Sequence, residues 1–94
     1  MFAVILTYRC ELSAIDPYLD DHIRWLDLHY QADIFIASGR REPRMGGVIL
    51  VKNILRDDLE KIIKDDPFYQ RKLADYQIIE FHPSKVQKGF EQLL

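Results

Sequence analysis

Cysteine is almost missing from this chain: Cys10 stands alone among 94 residues. A single thiol closes no intrachain disulfide and builds no thiolate metal cluster, so a reducing, cytoplasmic setting is expected. No apolar run reaches the roughly 20 residues that span a bilayer as a helix. The first residues also lack the basic stretch of a signal peptide. A dominant charge is missing too. The formal net charge of −2 gives no broad electrostatic reason for nucleic-acid binding, and no recognition motif appears. Internal repeats, low-complexity tracts and the glycine spacing of a phosphate loop are absent as well.

What is present is the composition of an ordinary globule. Apolar residues make up 48% and charged residues 30% of the chain, which excludes a disordered tail and predicts one domain over residues 1–94. The chain is organised around Asp33–Lys52. Ile34–Ala37 is a short apolar strand closed by Ser38-Gly39. A polar loop with Arg40, Arg41 and Arg44 follows, and Gly46-Gly47 restarts the chain into the strand Val48–Val51. Two such strands most simply form an antiparallel hairpin.

One helix is predicted on either side of the hairpin. Phe2–Tyr8 reads as a first strand and Arg9–Ile15 as a loop. Asp16-Pro17 then opens a helix whose core face is Leu19, Ile23, Leu26 and Tyr30, with His22 and His29 at its border. Beyond the hairpin, Asn53 is a plausible cap for a second helix with Leu55, Leu59, Ile62 and Ile63 inside. This helix ends near Asp65, because Pro67 pushes Asp66 out of the α region. Pro67–Gln70 makes a short helical turn, Tyr76–Phe81 a last strand, and Val86, Phe90 and Leu93 a loose terminal helix.

The order β-α-β-β-α-β predicts an α+β, ferredoxin-like antiparallel sheet with both helices on one face. Such a sheet should alternate apolar and polar residues, yet Ala3–Leu6, Ile34–Ala37 and Val48–Val51 are apolar on both faces. A second copy packed sheet against sheet would cover the open face, making a homodimer; the C-terminal tail is too short to do so.

Three features could carry chemistry. A His22–Asp66 pair would join the side chain that titrates near neutrality to a carboxylate that sets its tautomer. The split arrangement leaves open whether the start of the first helix meets the end of the second. An isolated helical histidine is also commonly a border residue, and Asp before Pro-Phe commonly a turn cap. The loop of Ser38, Gly39, Arg40, Arg41, Arg44 and Gly46-Gly47 could hold an anion, or it could be a solvated hairpin tip. His29 and His82 lack a second ligand at helical or strand spacing, so no metal site is expected.

Tyr8 at the end of the first strand, His22, Ala37-Ser38-Gly39 leading to Gly46-Gly47, Asp65-Asp66-Pro67-Phe68 and Phe81-His82-Pro83 together resemble the YciI-like (YCII-related) family. The resemblance runs over nearly the whole chain. It implies a dimeric α+β barrel built from two ferredoxin-like subunits, and a His–Asp pair in a pocket that falls on His22 and Asp66. One branch of the family is associated with dehydrochlorination of a chlorinated hydroxyquinol. Family members often carry proline after the Ala-Gly segment, where this chain has Arg40 and a more basic loop, so a preference for an anionic ligand is expected.

These readings combine into a small cofactor-independent enzyme. His22 would be its general base or acid, Asp66 would orient it, and Tyr8, Ser38 and Arg40 would contact a small anionic or aromatic substrate or a lactone. The rival is a non-catalytic small-molecule-binding or protein-interaction module of the same fold.

Overall fold

Four strands pair into one antiparallel sheet in the spatial order β2-β3-β1-β4. The computed structural model describes every residue from Met1 to Leu94. The strands are β1 (Phe2–Tyr8), β2 (Phe35–Arg40), β3 (Gly46–Val51) and β4 (Ala74–Glu80). The sequence places β1 in the middle. Phe2, Val4 and Leu6 are buried, and Ala3, Ile5 and Thr7 between them are half-buried on the other face. Its partners are in register, with Val4 opposite Ile49 of β3 and opposite Ile78 of β4. Between β2 and β3 the register slips around Ile36, so that Ser38 lies opposite Ile49 and Arg40 opposite Gly47.

The helices are α1 (Leu12–Ile15), α2 (Leu19–Gln31), α3 (Arg56–Lys64) and α4 (Pro67–Gln70). This is the ferredoxin-like βαββαβ order, with α2 and α3 as the two crossovers. The core lies between helices and sheet, where Phe2, Val4, Leu6, Phe35, Ile49 and Val51 meet Trp25, Leu59, Ile63 and Phe68. Each such side chain contributes roughly 1.5–3 kcal/mol by leaving water.

Several expectations need correction. The segment Arg9–Ile15 is not all loop, because α1 turns inside it and buries Ile15. The Asp16-Pro17 start is a 3-10 turn, Asp16–Tyr18, that runs into α2. The apolar stripe of α2 supplies only part of its inner face: Leu19 and Leu26 pack half-buried against the core as expected. Trp25 and His29 are buried and His22 half-buried, whereas Ile23 is 43% exposed and Tyr30 is exposed. A helix is seated by the shape of the core it meets, and here the aromatic ring of Phe35 selects Trp25 and His29. Asn53 does not cap α3. Leu55 holds that position and is 72% exposed, not part of the buried face. Strand β4 begins at Ala74 and ends at Glu80, with Phe81 outside it. The terminal helix shrinks to a 3-10 turn, Glu91–Leu93.

One feature of the topology decides the site. Because β1 and β3 are antiparallel, the crossovers that leave them run in opposite directions. The start of α2 therefore adjoins the end of α3, at the same end of the sheet.

Candidate active site

Asp66 sits where α3 has ended and α4 begins. Its backbone is extended (φ −66°, ψ 127°), as a residue before proline must be, and its carboxylate caps α4 by accepting from Phe68 N at 3.1 Å. The same Oδ1 lies 2.8 Å from His22 Nδ1. Capping and pairing, which the sequence offered as alternatives, are both true of this one carboxylate. Asp66 is 0% exposed, and Tyr76 donates to its second oxygen, Oδ2, at 2.5 Å. A buried charge needs such partners, since stripping them costs several kcal/mol.

His22 is held from three sides. Asp66 takes its Nδ1, and the Phe68 ring stacks on the imidazole at 4.1 Å and 5°. The Trp25 indole lies 5.5 Å away, itself fixed by Nε1–H donating to Ile62 O at 2.9 Å. Facing a carboxylate, Nδ1 is the ring nitrogen placed to donate, and Nε2 is the one left without a protein partner. The ring lines a cavity of about 170 Å³ that opens to solvent on one side.

That cavity gathers most of the residues picked out from sequence. Tyr8, His22, Ser38 and Arg40 all line it, together with the backbone of Gly46 and Gly47. Asp66 stands behind His22, outside the lining. Tyr8 packs edge-on against Phe68, and Ser38 Oγ shares a 2.7 Å hydrogen bond with the Tyr30 hydroxyl. The three loop arginines divide. Arg41 donates to Thr7 Oγ1 at 2.8 Å and Arg44 to Asp16 Oδ1 at 3.3 Å, tying the hairpin to β1 and to the start of α2. Arg40 keeps only a loose exposed pair with Glu42, 3.8 Å apart, so it is the arginine at the cavity.

The glycines make one cavity wall from bare backbone. A Cβ on Gly46 would stand 1.8 Å from Leu6 O, and one on Gly47 would stand 3.0 Å from Gly39 O. Four contributors escaped the sequence reading: Phe68 as the stacking platform, Trp25 beside His22, Tyr76 on Asp66 and Tyr30 on Ser38 all depend on how separate elements pack. Burial, with the Asp66 charge and hydrogen bond adding to it, drives the Tyr76 hydroxyl far above the usual phenol range, so it remains a donor. His29, away from the cavity, has both ring nitrogens unpartnered, and burial lowers it from the usual 6.5 with Asp65 partly opposing.

A ferredoxin-like fold with a buried carboxylate behind a cavity-facing histidine defines the class. Residues 1–82 match the model of the YCII-related domain, and the chain belongs to that family. No curated protein matches it. Among solved structures it is similar to 5-chloro-2-hydroxyhydroquinone dehydrochlorinase (TftG) from Burkholderia phenoliruptrix AC1100, in complex with 2,5-dihydroxybenzoquinone. That likeness has a TM-score of 0.69 at 14% identity and covers 86% of this chain and 93% of that one. At this identity the likeness shows the fold.

Proposed function

We propose that this protein is a cofactor-independent acid–base enzyme acting on a small planar anion, with His22 Nε2 as the base. The observation that carries the reading is the 2.8 Å His22–Asp66 contact behind an imidazole that faces a cavity. Asp66 holds the ring in one tautomer and stabilises the imidazolium that forms when Nε2 takes a proton. The electron pair left on the substrate becomes a new double bond. Either a leaving group departs, which is elimination, or the proton returns at another atom, which is isomerisation. Phe68 and Trp25 keep the ring from turning, Tyr8 and Ser38 offer hydroxyls, and Arg40 offers the charge for an anionic oxygen. A cavity of about 170 Å³ suits one ring and little more.

The test uses monocyclic hydroxyquinones and cyclic enol lactones in deuterated water, with 2,5-dihydroxybenzoquinone as the first ligand, a choice supported by the TftG complex. Wild-type protein is expected to bind the quinone and to exchange or eliminate at least one member of the panel, while His22→Gln loses turnover. Binding without any turnover, unchanged in His22→Gln, favours the small-molecule-binding module instead.

We also assign the helix-free sheet face to a second copy of the chain, making a homodimer in a reducing, cytoplasmic compartment. Ala3, Ile5, Val48 and Leu50 are only half-buried on that face, and Ile79 is 42% exposed. The tail reaches only its margin, where Leu93 shares a cleft with Met1, Ile36 and Lys52. Light scattering is expected to give twice the 11.2 kDa chain mass, reduced to one chain by Ile5→Glu. A monomeric wild type rejects the assignment.

A further inference from the structure

Asp66 has two oxygens, and its neighbours use them unequally. His22 Nδ1 and Phe68 N both meet Oδ1, at 2.8 and 3.1 Å. With these alone the carboxylate plane could turn about its Cβ–Cγ bond and lose its alignment with the imidazole N–H. Tyr76 closes that freedom by donating to Oδ2 at 2.5 Å. The tyrosine comes from β4, opposite Leu6 of β1. Its ring is braced edge-on by Tyr69 at 5.7 Å.

We infer that Tyr76 is a positioning residue for the acid–base pair, holding the Asp66 carboxylate in the orientation that fixes His22 as the Nδ1–H tautomer. This rests on the acid–base reading of His22 and Asp66. Tyr76 does not line the His22 cavity. It borders instead an outer groove with Arg9, Lys64 and Lys72. It therefore acts on the imidazole only through Asp66 and touches no ligand in the cavity. Because its hydroxyl stays protonated, the clamp is present throughout the pH range in which a histidine base works. The sequence hides this role: in Tyr76-Gln77-Ile78 the tyrosine reads as one more alternating strand residue.

The test is the His22 ring proton in ¹⁵N-labelled protein, assigned by its loss in His22→Gln. Wild type is expected to show a single Nδ1–H tautomer whose proton exchanges slowly with water. Tyr76→Phe keeps the ring and loses the donor. In that variant the proton should exchange about tenfold faster or more, the scale of one lost hydrogen bond to a charged group, and the Nε2–H tautomer should appear. A merely structural tyrosine would change the melting temperature and leave the tautomer alone. If Tyr76→Phe keeps both tautomer and exchange rate while Asp66→Asn changes them, the positioning role is overturned and the pair stands. If wild type shows no Nδ1–H tautomer, the pair itself fails. The wild-type Tyr76 hydroxyl proton gives a reading that needs no variant: held on Asp66 it must be protected from exchange, and a freely exchanging hydroxyl overturns the inference.

Discussion

His22 and His29 stand seven residues apart on one helix, close to the two turns that bring side chains back to the same face. Both lie near the Trp25 ring, at 5.5 Å from its centroid. Their other surroundings differ. His22 meets a carboxylate and an open cavity, whereas His29 meets Phe35 at 5.1 Å and has no partner for either nitrogen. Aromatic neighbours alone therefore turn a histidine into core filler that is costly to charge. On the function proposed above, the same ring would serve as a base because a fixed carboxylate stands on one side and solvent-reachable space on the other.

The strongest way to break the contrast is to remove what His22 has and His29 lacks. Asp66→Ala strands the His22 ring, the Phe68 N–H and the Tyr76 hydroxyl together. It is expected to cost about 4 kcal/mol in urea unfolding, the scale of breaking a buried charged pair. A cost near zero would mean that the carboxylate is not the anchor of the site. A smaller effect sharpens the contrast from the other end. His29→Phe removes a buried, unpartnered imidazole and should stabilise the protein by about 1 kcal/mol at pH 7. The gain should widen with acid. Since burial holds His29 below its ordinary 6.5, the folded protein takes up that proton less readily than the unfolded chain does. The stability of the wild type is therefore unaffected by this proton above that ordinary value and falls as pH drops below it, by up to about 1.4 kcal/mol per unit. A constant difference between wild type and His29→Phe from pH 7 to 5 would show that His29 charges freely in the fold.

The same helix shows what was legible in the sequence and what was not. The succession of strands and helices along the chain and the Asp-Pro-Phe turn follow from local patterns, because proline, glycine pairs and β-branched runs act on the backbone next to them. The orientation of α2 does not. Its apolar stripe predicts one inward face; Leu19 and Leu26 do pack against the core, but Trp25 and His29 are the side chains buried there, while Ile23 and Tyr30 stay exposed. Apolar periodicity undercounts a face built from amphipathic rings. Spacing could nominate His22 and Asp66, and family resemblance joined them, but only the opposed crossovers bring the start of α2 to the end of α3. Tyr76 stayed invisible because its partner lies ten residues earlier in the chain, across a helical turn and a change of direction. Arg40 was singled out from a cluster of three, and no sequence rule separates it from Arg41 and Arg44, whose partners lie in β1 and beside α2.

The bare wall at Gly46 and Gly47 bears on how such a cavity can diversify. Any side chain at Gly46 would have to enter the space of the Leu6 carbonyl, so drift at that position is closed. Mutation can reshape the opposite wall, where Leu19, Ile23 and Leu26 of α2 face the cavity, and the rim at Ser38 and Arg40. A lineage that took up a new ligand through this fold would leave its record on the helix and the rim, with Gly46 unchanged behind them.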